Sequence, residues 1–317
     1  MKRAPSIFVF GLLACSPLLN SSASADEPTF TRKEDVVYGR KYGTALTMDV
    51  FTPKSNANGA GIVFAVSGGF RSSHEAINPM YIRPLLDRGY TVFAVVHGSQ
   101  PRFTVPEIIQ DMNRAVRFIR YHAKDYGIDK ARIGITGASA GGHLSLMLGT
   151  AGSLGDPSAK DPVDRESSRV QAVACFFPPA DLLNYGQAGK EMLRATDHGK
   201  AFRPAFDYHE LDKDSNVWVQ ITDTERLREI TRQISPITHV SADDPPTLII
   251  HGDADVLVPI QQSEIFVKKM KSVGVETKLV VKKGAGHGWM GIERETALLG
   301  DWFDQYLNKP TADKPAP

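Results

Sequence analysis

At 317 residues the chain can bury a large core, and one α/β domain with an insertion accounts for its length as well as two small domains would. Its 37 Lys and Arg residues against 36 Asp and Glu leave a formal net charge of +1, which argues against nucleic acid or another polyanion as a partner. Two cysteines, Cys15 and Cys175, exclude a disulfide framework.

The first 25 residues read as an export signal. Lys2 and Arg3 precede an apolar run at 7–14, and Ala23, Ser24 and Ala25 form a small-residue cleavage site before Asp26. The expected mature protein is therefore secreted or periplasmic. The apolar run is too short, and too soon interrupted by Pro17, to span a bilayer. Leu12-Leu13-Ala14-Cys15 offers lipid attachment at Cys15 as an alternative, but a leucine at the second position suits that processing poorly, so plain export is the reading.

Residues 36–38 and 46–51 read as antiparallel strands at a sheet edge. Residues 61–66, apolar on both faces, have the pattern of a central parallel strand. A short helix at 81–88 stops at Gly89, and residues 91–96 form the next strand. The clearest helix runs over 105–122, where Val105, Ile108, Ile109, Met112, Ala115, Val116 and Ile119 share one face. Arg114, Arg117 and Arg120 fall on its other faces and read as solvated. Residues 131–136 form a strand, followed by an apolar helix carrying Leu144, Leu146 and Leu148. The strand-like run at 170–177 holds Cys175 as a small buried hydrophobe.

Residues 178–233 break this alternation: they are rich in charge, contain Trp218 and lack a central-strand run. Strand-like runs return at 247–250 and 278–281. The last helix ends around 307–310, and the tail at 310–317 is expected to be disordered. Strands alternating with helices from residue 61 onward predict a mostly parallel sheet.

Between the strand at 131–136 and its helix lies Gly137-x-Ser139-x-Gly141. A serine at a sharp strand-to-helix turn holds strained backbone angles, small neighbours avoid clashes there, and the helix N-terminus offers free N–H groups to a developing oxyanion. Ser139 is thus a candidate nucleophile. A serine needs a base, and the base an orienting acid. Both follow in the order Ser, Asp, His: Asp255 in the loop after 247–250, and His287 between glycines after 278–281. Asp253 competes with Asp255; Val258-Pro259 opening the next segment favours Asp255 and leaves Asp253 to bond backbone N–H groups.

Oxyanion donors are expected from Gly68 or Gly69, after the central strand, and from Ala140, beside the nucleophile. His143 and His251 read as structural, while His74 and His97 lie in loops on the active edge, where a surface role outweighs substrate contact. No His, Cys or carboxylate spacing suggests a metal, and neither metal nor cofactor is expected. A dinucleotide-binding reading of the glycines at 137–142, with Tyr126 and Lys130, fails on placement: several strands precede the turn, and the Tyr/Lys pair comes before it.

These motifs resemble the α/β-hydrolase superfamily, and more narrowly the exported esterases grouped with bifunctional feruloyl/acetyl-xylan esterases. The likeness rests on residues 48–53, 129–143, 235–239 and 244–259, and spans about 35–308. It implies an α/β-hydrolase fold, with a mostly parallel central sheet flanked by helices and a lid insertion at about 178–233 walling the substrate pocket. It also implies a serine esterase acting on short acyl or aromatic esters, including those of plant polysaccharides. The chain departs from the family at Ser67, where these enzymes usually carry histidine before the glycine pair. Two alternatives are a peptidase of the prolyl oligopeptidase type, for whose N-terminal propeller the chain has no room, and a silent binding protein on the same scaffold.

Overall fold

The computed structural model describes residues 29–192 and 202–308. The export signal, Cys15, the tail at 310–317 and part of the insertion lie outside them. Ten strands are resolved among the described residues, and eight of these form one sheet in the order β1-β2-β4-β3-β5-β6-β9-β10. β1 (Phe30–Lys41) and β2 (Thr44–Pro53) make an antiparallel hairpin at one edge, and β2 pairs antiparallel with β4 (Thr91–Val96). β1 reaches well beyond the residues that alternation marks, because its outer residues are mostly exposed and carry no apolar pattern, while β2 adds two residues at each end.

The remaining pairings are all parallel. They join β4, β3 (Gly61–Val66), β5 (Ile133–Ala138), β6 (Ala172–Phe176), β9 (Thr247–Gly252) and β10 (Thr277–Lys282). These central strands are covered on both faces, which is why they read as unbroken apolar runs. On one face, α1 (Pro79–Leu86) and α6 (Thr296–Leu307) pack Ile82, Leu85, Leu299 and Phe303 onto Ile62 and Val92. On the other, α2 (Val105–Tyr121), α3 (Ala140–Ala151) and α5 (Gln261–Ser272) bury Ile108, Met112, Leu144 and Phe266 with Val63, Ile135 and Cys175.

The arginines of α2 correct the expectation of solvated side chains. Arg114 binds Asp161 at 2.7 Å and Asp164 at 2.8 Å. Arg117 donates to the Glu166 carbonyl at 3.1 Å. Arg120 is buried and donates to the carbonyls of Lys130, Ser167 and Arg169. The 152–171 connection folds back over this side of the helix, a long-range contact that helical periodicity cannot reveal.

Between β6 and β9 the described part of the insertion contains a separate hairpin, β7 (His209–Asp212) with β8 (Val217–Gln220), and α4 (Thr224–Gln233). Trp218 stands exposed on that hairpin. No helix among the described residues is long and apolar enough to cross a membrane.

Candidate active site

β5 ends at Ala138 and α3 begins at Ala140, leaving Ser139 alone in the turn with φ 56° and ψ −118°. This is a conformation that L-residues rarely adopt, and the surroundings must hold it. They do so by contact. A Cβ on Gly137 would stand 2.5 Å from the Gly141 backbone, and one on Gly141 would stand 2.5 Å from the Ala65 carbonyl oxygen. The Ser139 N–H donates to the Phe176 carbonyl at 3.1 Å, and its own carbonyl accepts from the His143 N–H at 2.8 Å.

The parallel register sets the loops after β5, β9 and β10 on one edge of the sheet, although 148 residues separate Ser139 from His287. His287 Nε2 lies 2.9 Å from Ser139 Oγ, and His287 Nδ1 lies 2.7 Å from Asp255 Oδ2. A carboxylate only accepts, so Nδ1 carries the proton and Nε2 is left to accept from the hydroxyl. The imidazole packs against Phe177, ring centroids 4.5 Å apart, and Phe177 in turn packs against Trp289.

Asp255 is buried, and burial alone would raise its pKa. Hydrogen bonds from His251 and His287 and from the Val258 N–H outweigh that, holding the carboxyl well below the usual carboxylate range. Oδ1 accepts from the N–H groups of Leu257 and Val258, both at 2.9 Å. Asp253 faces elsewhere, accepting from the Gly284 N–H at 2.6 Å and pairing with Lys283. His251 belongs to this site more closely than a strand-capping role suggests. It is fully buried, 3.3 Å from Asp255 Oδ2, bonded through Nδ1 to Ser263 Oγ and through Nε2 to the Val258 carbonyl. The spacing His251-x-x-x-Asp255 was the available signal.

The loop after β3 separates the two glycines. The Gly68 N–H donates to the Arg71 carbonyl at 3.0 Å and is already engaged. Among the described residues no acceptor meets the N–H of Gly69 or of Ala140. Gly69 has φ 54°, and a Cβ there would lie 2.4 Å from the Phe202 ring, so both backbone angle and space require glycine. Gln100 braces this loop: its Nε2 donates to the Gly69 carbonyl and its N–H to the Phe70 carbonyl at 3.1 Å. Nothing in the sequence around Gln100 advertised that contact.

Among the other histidines, His97 departs from expectation, while His143 has the structural place read for it. His97 is not on the surface; it is buried, with Nδ1 2.7 Å from the Gly98 carbonyl, and burial lowers its pKa to about 4. His143 is likewise buried, bonded to the Ile234 carbonyl at 2.7 Å, and burial takes it down to about 4. His74 joins Glu34 and Asp49 in a cluster close enough to hold a metal, which sequence spacing hides. Arg32 already occupies its centre, 2.7 Å from Asp49 Oδ2 and 3.2 Å from His74 Nε2, and supplies the positive charge.

A serine elbow after β5, with an acid after β9 and a histidine after β10 of a mostly parallel eight-stranded sheet, defines an α/β-hydrolase fold. The BD-FAE family model matches residues 48–270, and the chain belongs to that family. A model described as TAP-like protein also matches, over residues 227–316. Among curated proteins the chain is similar to the probable carboxylic ester hydrolase LipM of Mycobacterium tuberculosis, 30% identical over 243 residues, covering 75% of this chain and 52% of LipM. The chain spans about half the length of the curated relatives it matches. Among solved structures it is similar to a truncated carbohydrate esterase from gut microbiota, with TM-score 0.71 and 27% identity, covering 89% of this chain and 99% of that one. It is also similar to the butyrate-bound Thermogutta terrifontis esterase Est2, with TM-score 0.63 and 26% identity, covering 88% and 94%.

Proposed function

We propose that the protein is a serine carboxylic ester hydrolase working through an acyl-enzyme. The observation that carries this reading is the continuous row of hydrogen bonds from Ser139 Oγ through His287 to Asp255, with Ser139 held at the strained turn. In the proposed reaction Ser139 Oγ attacks the ester carbonyl carbon as its proton passes to His287 Nε2. The carbonyl oxygen becomes an oxyanion facing the N–H groups of Gly69 and Ala140. Collapse breaks the bond to the alcohol oxygen, which leaves with the proton from His287. Water, deprotonated by His287, then releases the acid and restores Ser139. Asp255 keeps the imidazole in the productive tautomer and stabilises the imidazolium without taking the proton.

Short acyl or aromatic esters, including acetyl or feruloyl esters of plant polysaccharides, are the proposed substrates; the esterase and carbohydrate esterase names of the relatives support this. Export is proposed on the pattern of residues 1–25. The test is turnover of p-nitrophenyl acetate beside the matching amide, by the protein and by Ser139→Ala. Ester hydrolysis that falls by at least about 10,000-fold in the variant is expected. Preferred amide turnover would favour a peptidase instead, and unchanged ester turnover by Ser139→Ala would remove the proposal.

A further inference from the structure

We propose that His251 is a positioning residue for the general base: it holds the far side of Asp255 and limits how strongly that carboxylate draws a proton onto His287. This rests on the esterase reading above. His251 lies in β9, fully buried, four residues before the acid. Its Nε2 is 2.8 Å from the Val258 carbonyl oxygen and 3.3 Å from Asp255 Oδ2, and its Nδ1 is 2.7 Å from Ser263 Oγ on α5.

These partners fix where its proton sits. A carbonyl and a carboxylate only accept, so Nε2 carries the hydrogen and shares it between Val258 and Asp255. The Ser263 hydroxyl has no other partner among the described residues and donates to Nδ1. Asp255 Oδ2 therefore faces two imidazole N–H groups, 2.7 Å from His287 and 3.3 Å from His251, while Oδ1 is taken by the N–H groups of Leu257 and Val258. The bond from His251 to the Val258 carbonyl also pins the backbone whose N–H holds Oδ1.

Carboxylate charge spent on His251 is not available to His287. A weaker field from Asp255 favours the imidazolium less, and a general base has to be unprotonated to take the serine proton. His251 thus keeps His287 free at lower pH than Asp255 with a single imidazole would. The other titratable groups nearby are engaged elsewhere. Tyr185 donates to the Leu257 carbonyl at 2.8 Å, Asp253 pairs with Lys283 at 3.0 Å, and Lys282 pairs with Glu295. Phe177, uncharged, packs against both imidazoles, with ring centroids 6.3 Å from His251 and 4.5 Å from His287.

The experiment measures kcat/KM for p-nitrophenyl acetate from pH 5 to 9, in the full chain, His251→Leu and His251→Gln. Leucine removes the donor; the glutamine amide keeps one toward Asp255 and an acceptor for Ser263. The acidic limb of the profile is expected to move up by about half a pH unit in His251→Leu, a roughly threefold loss below the limb, and to stay in place in His251→Gln. A limb unmoved in His251→Leu, whatever the fall in kcat, would mark a purely structural histidine and overturn the proposal, as would an equal shift in both variants. Should His251→Leu fail to fold, nitrogen NMR of the intact protein decides. The hydrogen is expected on His251 Nε2, its resonance moving at the same midpoint as the acidic limb. A hydrogen on Nδ1 alone, or a resonance indifferent to that titration, would overturn the proposal. Absence of all ester turnover by the full chain, with no phosphonate adduct on Ser139, would instead remove the esterase reading beneath it.

Discussion

Ser139 and Asp255 show how individual residues are prepared by their neighbours. The serine's backbone strain, of order 1–3 kcal/mol, is sustained by the tight approach of Gly137 and Gly141, and the carboxylate of Asp255 stays ionised because it collects more hydrogen bonds than burial takes away. Asp255→Asn keeps the volume but loses the acceptor that fixes the imidazole tautomer. Its kcat is expected to fall by about 10,000-fold with the fold intact, as read by steady-state kinetics and circular dichroism. Gly69, in the loop proposed to hold the oxyanion, is equally specific. Gly69→Ala forces a Cβ onto Phe202 at a left-handed φ, and is expected to cost at least about tenfold in kcat, whereas Gly68→Ala, with open space around its Cβ, is expected to cost less. At this scale the motifs named Ser139, His287 and Asp255 from the sequence, because their chemistry is carried by short local patterns. The choice between Gly68 and Gly69 was not legible. It depends on Arg71 turning back to accept from Gly68, a contact with no signature in residue type.

Elements carry the next layer of the account. Gln100, from the loop after β4, donates to the successive carbonyls of Gly69 and Phe70, so two separate strand ends are locked together at the loop proposed to hold the oxyanion. Gln100→Ala is expected to lower kcat several-fold with little change in KM, since the loop would lose its alignment toward the transition state and not its contact with the ground state. Arg120 plays a corresponding structural part for α2, satisfying three carbonyls of the flanking connections. Arg120→Leu removes the guanidinium donors from the Lys130 and Ser167 carbonyls and leaves the Arg169 carbonyl only the Gln171 amide, and is expected to destabilise the protein by about 2 kcal/mol in urea unfolding. The central strands and α2 were readable within a few residues from their apolar patterns, whereas β1 was read only at 36–38 of Phe30–Lys41. The exposed hairpin of β7 and β8 was not, because its residues face solvent on both sides and carry no alternation to read.

For the whole molecule, the central sheet is the reason three residues far apart in sequence meet, and two of the buried histidines, His97 and His143, tie its stability to pH. His97 and His143 titrate near 6.5 when unfolded and are lowered to about 4 in the fold, chiefly by burial. Between those values the unfolded chain binds protons that the folded chain refuses. Stability is therefore complete above about pH 6.5 and declines as pH falls toward 4, by up to about 1.4 kcal/mol per pH unit for each histidine. Urea melts from pH 7.5 to 4.5 are expected to show that decline, and His143→Gln to make it shallower. A pH-independent midpoint would contradict it. The central claim, that the hydrogen-bonded row activates one serine, is tested most directly by covalent capture. The protein is incubated with a p-nitrophenyl alkylphosphonate and the adduct is located by peptide mass spectrometry. A single stoichiometric adduct on Ser139, lost when His287 is replaced by alanine, is the expected outcome. A protein that hydrolyses esters while Ser139 stays unmodified would contradict it.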